Sequence, residues 1–225
     1  MLRSLLLAGS LSLLVAGGAV AQESSVLVLP FANGGSFGQD RENFEALQLA
    51  IPAMVASELA RHPDLRLAEG SAATEALRGL DLAARGSVDA TTAARLGKQL
   101  GARYVITGAF IDHYGRFRID ARLIDAETGD ILKVAGPAPE LRDRRQLYDM
   151  IRSVAASLVA GTKLSELPAG PSRALPTEAL TLYGRGLMHE SRNEADQART
   201  FYQQALDLAP DYTEARNGLQ RLGTP

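Results

Sequence analysis

The run from Arg103 to Gly136 constrains the fold more than any other part of this chain. Tyr104 to Ile111 is almost wholly apolar, as expected of a strand buried on both faces. After Tyr114-Gly115 the period becomes two: Phe117, Ile119, Ala121 and Leu123 point one way, and Arg116, Arg118, Asp120 and Arg122 the other. Ala126-Glu127-Thr128-Gly129 turns the chain again, with Gly129 placed for a positive φ. Ile131 to Ala135 returns. Three consecutive strands joined by tight turns make an antiparallel meander.

Upstream, Ser25 to Phe31 is a short branched apolar run, a buried strand ended by Pro30. Asn33 to Gln39 is a Gly/Ser loop. Phe44, Leu47, Ile51, Met54 and Leu59 recur at helical spacing, so that a helix either begins near Pro52 or kinks there. Leu65 to Ala68 alternates as a second strand. Ser71 is placed to cap a helix running toward Leu80, Asp81 to Asp89 is irregular, and Ala90 to Leu100 is a further helix.

The sequence Leu96-Gly97-Lys98-Gln99-Leu100-Gly101 invites a phosphate-loop reading. The order of elements is wrong for one, because a phosphate loop follows a strand and opens a helix, whereas here a helix leads into a strand. Gly101 is therefore read as a helix stop with positive φ.

The first residues have the form of an export signal, residues 1–21. Arg3 supplies the charge, Leu5 to Val15 the apolar core and Ala19-Val20-Ala21 the cleavage site before Gln22. A lipid-modified terminus would need a cysteine there, and the chain has none, which also excludes disulfides and thiolate metal sites. The expected location is a periplasm, without lipidation and without a membrane span once the signal is removed. The net charge of -2 gives no polyanion bias, so nucleic acid is not an expected partner.

Downstream, Leu141 to Leu164 reads as a helix with Leu147, Ile151, Val154 and Leu158 on its buried stripe. Residues 165–176, rich in proline, form a linker. Thr177 to Arg192 and Glu194 to Leu208 are helices, and a third follows Pro210.

Two resemblances rest on these residues. Gly186, Ala198, Tyr202, Ala205, Leu206, Leu208 and Pro210 stand at the signature spacings of a tetratricopeptide repeat, which Ala179 to Tyr212 resembles. Arg185 and His189 depart from that pattern. Residues 25–164 resemble the TolB amino-terminal-like group, including FlgO- and CsgG-type envelope proteins, through VLVLPF, through ELARHPDLRL and above all through AARLGKQLGARYVITGAFIDHYGRFRIDARLIDAETG. The implied fold is α/β with a mixed α+β sheet: amino-terminal βα units, then the meander flanked by helices, then a repeat-like helical hairpin over residues 177–225. The resemblance implies a non-enzymatic role in assembly with other envelope proteins. The long transmembrane hairpins of pore-forming members have no counterpart here.

No catalytic constellation is readable, and no cofactor or metal is expected. Asp112, Asp120, Asp125, Glu127 and Asp130 cluster in the meander, but three of them flank a turn that such residues stabilise. His62, His113 and His189 lack ligand spacing. Position by position, the repeat puts Tyr183, Leu187 and Glu190 on its concave surface. Gly184 replaces the asparagine of repeats that clamp a peptide carboxylate. Arg116, Arg118 and Arg122 form a basic stripe able to meet an anionic partner or a lipid headgroup. The expected function is a partner-binding adaptor or assembly factor, peripherally membrane-associated or homo-oligomeric in one form of the reading. The alternative is a small-ligand or glycan-binding protein using a cleft near Asn33 to Gln39.

Overall fold

The computed structural model describes residues 24–38, 41–68, 88–136, 141–170 and 173–223. The expected export signal, the helix expected from Ser71 and most of the irregular segment after it lie outside these residues. Seven strands form one mixed sheet whose main order is β3-β1-β4-β5-β6: β1 (Ser24–Val28), β3 (Leu65–Leu67), β4 (Tyr104–His113), β5 (Arg116–Asp125) and β6 (Ile131–Ala135). β2 (Ala32–Asn33) continues the β1 side of β4, and β7 (Arg142–Asp143) pairs with the start of β5. β1 is parallel to β3 and β4, while β4, β5 and β6 are antiparallel. The meander and the mixed α/β class follow the sequence reading.

One sheet face carries Val26, Ile106, Phe110, Phe117, Ile119, Ala121 and Leu123. It is covered by α1 (Arg41–Leu59) and α3 (Leu147–Val159), with Phe110 and Phe117 stacked at 5.5 Å. The other face buries Leu27, Leu29, Val105 and Ile124 under α2 (Ala90–Gln99). Asp89 caps α2 by accepting from the Thr92 amide, and Gly101, at φ 67°, ends it.

α1 runs uninterrupted through Pro52. Proline has no N–H to donate to the carbonyl four residues back, that of Gln48. The Phe31 amide supplies the bond instead, at 3.1 Å. The missing helix bond thus becomes the tie between α1 and the β1–β2 bend.

The helix expected from Leu141 begins later. Arg142–Asp143 is drawn into the sheet opposite Arg116–Phe117, and the Asp143 side chain then caps a 3-10 turn, Arg144–Gln146, ahead of α3. Residues 165–170 and 173–176 hold no regular element, but they are pinned. His62, 2% exposed, bonds the Ser165 carbonyl through Nε2 at 2.8 Å, and Arg61 donates to the Pro168 carbonyl.

Candidate interaction surfaces

The helical segment comprises α4 (Thr177–Ser191), α5 (Ala195–Leu208) and α6 (Thr213–Arg221). α4 lies directly on α1. Small residues permit the approach: Gly184 sits against the backbone of Ala46 and the side chain of Ala50. Behind it Tyr183 packs between Tyr202 and Tyr212, the rings tilted at 37° and 51° with centres 5.8 and 5.1 Å away, and the Tyr212 hydroxyl donates to the Met54 sulfur at 3.3 Å.

A buried polar network locks this contact. Glu214, in the first turn of α6, accepts two bonds from the Arg173 guanidinium at 2.6 and 2.8 Å and one from the Ser57 hydroxyl of α1. Arg173 Nε donates to the Tyr148 hydroxyl at 2.7 Å, and that hydroxyl donates to Glu58 Oε1 at 2.9 Å. Arg61 closes the chain on Glu58. Four segments of the chain thus share one set of charge-assisted bonds, the strong kind in a site of low dielectric. Burial works against ionisation of Glu214, but the bonds from Arg173 and Ser57 more than offset it, holding the carboxyl below its ordinary range. Burial raises the Tyr148 hydroxyl despite the opposing pull of Arg173, keeping it a neutral donor.

The residues read from sequence as a concave binding surface are placed as follows. Tyr183 is 5% exposed within the tyrosine cluster. Leu187 is half-buried against the main core. Glu190 accepts from the Tyr202 hydroxyl and from Arg221 at 2.9 and 3.0 Å, bonds that overcome its burial and depress its pKa. α1 occupies the flank of α4 that bears Gly184.

The basic stripe divides. Arg116 reaches back to the Leu141 carbonyl, Arg118 pairs with Asp120 at 3.0 Å, and Arg122 is exposed. Arg122 stands opposite Val134 of β6, which is 62% exposed; Ile131 and Leu132 on the same strand are 47% and 44% exposed. Among the described residues β6 pairs only with β5, so one side of its backbone is open. The meander acids serve local structure: Asp125 accepts from the amides of Glu127 and Thr128 and pairs with Arg103, and Asp112 accepts from the Gly115 amide and from Arg144 at 2.6 Å.

The Asn33 loop is closed on itself, the Asn33 side chain accepting from the amides of Gly35 and Ser36. A groove of about 710 Å³ lies elsewhere, at the start of α4, lined by Asn43, Arg144, Arg145, Thr177, Glu178 and Arg185 among others. Among the described residues no cluster of potential metal ligands occurs and no helix is long and apolar enough to cross a membrane.

No protein-family model matches the chain, and no curated protein sequence does. Solved structures similar to it include the LpoB C-terminal domain from Salmonella enterica, 20% identical, with a TM-score of 0.37, covering 54% of this chain and 86% of that one. TolB from Acinetobacter baumannii is 15% identical with a TM-score of 0.37, covering 62% of this chain and 29% of that one. The PelC dodecamer from Paraburkholderia phytofirmans is 14% identical with a TM-score of 0.38, covering 65% and 91%.

The network around Arg173 and Glu214 escaped the sequence reading because its members are scattered from Ser57 to Glu214 with no shared motif. One sign was present: Gly184, where a peptide clamp would carry asparagine, is the residue a close helix–helix contact requires.

Proposed function

We propose that this protein is a non-enzymatic adaptor of the cell envelope that captures an extended segment of a partner protein along the β6 edge. The observation that carries the reading is Val134, Ile131 and Leu132 exposed together on a strand that, among the described residues, pairs on one side only, beside the exposed Arg122. Such an edge templates the addition of a strand: main-chain bonds supply affinity, and the alternating side chains supply selectivity. Arg122 and Arg118 favour a partner segment with acidic residues. In this reading the helical segment is a repeat-type hairpin that spends its docking flank on its own α1. It stiffens the scaffold rather than clamping a peptide.

The test compares proteins that co-purify from envelope extract with the wild type and with Ile131→Lys/Val134→Lys, at matched circular dichroism. A partner lost in the variant supports the reading. An unchanged set contradicts it.

A second reading has one specific support, the groove at the start of α4. Its size suits a small ligand, and guanidinium, hydroxyl and amide groups converge on it. Thermal shift against small anionic envelope metabolites, lost in Arg185→Ala, would favour that reading.

A further inference from the structure

The chain has six phenylalanines and six tyrosines, and all but two are buried or half-buried. The two exceptions, Phe37 at 56% and Tyr114 at 73% exposure, are neighbours. The Tyr114 amide donates to the Phe37 carbonyl at 3.0 Å, and the His113 ring stands between the two side chains, edge-on to both, at 6.0 and 5.2 Å. Tyr114 forms the tip of the β4–β5 hairpin, and Phe37, in the loop after β2, lies beside it and bridges to His113.

This tip is held rigid. The Phe37 amide donates to the Asp112 carbonyl at 2.7 Å, and Ser36 Oγ accepts from the Asp112 amide at 2.9 Å. Tyr114 has φ 51° and Gly115 φ 88°. Such a turn favours Asn or Gly at the first of these positions, so an exposed tyrosine there is locally unfavourable, and nothing in the packing of the core requires it.

Cations surround the tip. Arg116 pairs with His113 across the hairpin and is exposed. Arg142 lies on β7 beside the start of β5, the Arg144 amide donates to the Gly115 carbonyl at 2.8 Å, and the Arg145 side chain is 90% exposed. Among the described residues, these four guanidiniums stand against the carboxylates of Asp112 and Asp143, an excess of positive charge on a chain whose net charge is -2.

We propose that the tip is a membrane-docking element: Phe37 and Tyr114 enter the headgroup region of a bilayer while Arg116, Arg142 and Arg145 meet anionic lipid phosphates. Aromatic rings with a polar edge settle at that depth, and guanidiniums bind phosphate in bidentate fashion. Size favours lipid over protein. A stable protein interface uses roughly 20–30 residues a side around an apolar core, and this patch offers two rings. A bilayer needs only a small wedge with charges at its base. Ile131 lies at the far end of the sheet, paired with Ile124, so docking the tip leaves the β6 edge clear for a partner. The two surfaces can fail independently.

The test is flotation of the exported full chain with phosphatidylcholine vesicles with and without phosphatidylglycerol. Every variant keeps the same amino terminus, so that any leader contributes equally. Binding to the anionic vesicles that weakens with salt is expected. Phe37→Ala/Tyr114→Asn and Arg116→Gln/Arg145→Gln should each reduce it by about tenfold or more. Tyr114→Asn alone should retain or raise the melting temperature while weakening flotation, a combination that a merely structural tyrosine would not give. No flotation with anionic vesicles, equal flotation with both lipids, or equal flotation of wild type and tip variants overturns the proposal. Loss of a partner protein from the tip variants in the absence of vesicle binding would also overturn it, and would assign the tip to a protein.

Discussion

Replacing Gly184 by alanine gives opposite signs for a docked and a free helical segment. An alanine in an exposed helix interior stabilises by about 1 kcal/mol relative to glycine. In the structure, however, the new Cβ falls 2.7 Å from the Ala46 carbonyl carbon and 3.0 Å from Ala50 Cβ, with the Ala46 carbonyl oxygen nearer still; ordinary contact begins at 3.4 Å. The obstacle is backbone, so no side chain can rotate out of the way, and α4 must lift from α1. Overpacking of this kind costs about 1–3 kcal/mol, a cost that includes loosening the tyrosine cluster and the Arg173 bonds to Glu214 as the helix lifts. After the helix-propensity gain, a net loss of up to about 2 kcal/mol remains, or up to roughly 8 °C in Tm for a chain of this size. Thermal and urea melts of the single variant provide the assay. Gly186→Ala is the control: its Cβ would strike the Tyr202 ring within the hairpin, so it destabilises whether or not the segment is docked. Stabilisation by Gly184→Ala alongside destabilisation by Gly186→Ala would refute the docking of α4 on α1.

The acid limb of stability carries the signature of the buried carboxylates. Glu214 and Glu190 have folded pKa values below their unfolded ones, so their contribution is present above the unfolded value of about 4.3 and is lost as pH falls through the folded pKa. Glu214→Gln should cost about 1–3 kcal/mol at neutral pH and flatten that limb in pH-dependent urea melts. Burial pushes the hydroxyls of Tyr183, Tyr202 and Tyr212 upward, so their contribution is whole below about pH 10 and is lost as pH rises beyond it, a loss that tyrosinate absorbance should track. Asp112→Ala strips the Gly115 amide of its acceptor and Arg144 of its partner, and should cost about 3 kcal/mol by chemical denaturation. Val134→Lys should stay within about 0.5 kcal/mol of wild type while reducing partner recovery.

The sheet was legible because its strands obey simple rules. The shift from a continuous apolar run at Tyr104 to strict alternation at Arg116 marks a central strand followed by its neighbour, and Tyr114-Gly115 and Gly129 mark the turns. Proline proved ambiguous at position 52, since the sequence cannot say whether the orphaned Gln48 carbonyl finds another donor; it finds Phe31, and α1 continues. The helix expected from Leu141 starts late because Arg142 and Asp143 find an open stretch of β5, a pairing no local pattern signals. The helical segment was readable element by element, but its docking was not. That depends on Arg173 and Glu214 meeting Ser57, Glu58 and Tyr148 from distant parts of the chain. Phe37 and Tyr114 were legible singly, one in a Gly/Ser loop and the other in a turn, but not as a pair, because no local pattern says that the loop after β2 lies against the β4–β5 turn.

Site-specific photo-crosslinking in the envelope distinguishes the β6 edge from the helical hairpin as the partner surface, with the probe placed in turn at Val134 on the β6 edge and at Leu187 on α4. A discrete partner adduct is expected from Val134 and none from Leu187, which is half-buried against the core of the chain itself. A partner adduct from Leu187 with none from Val134 would contradict the β6 reading, returning the binding surface to the helical hairpin.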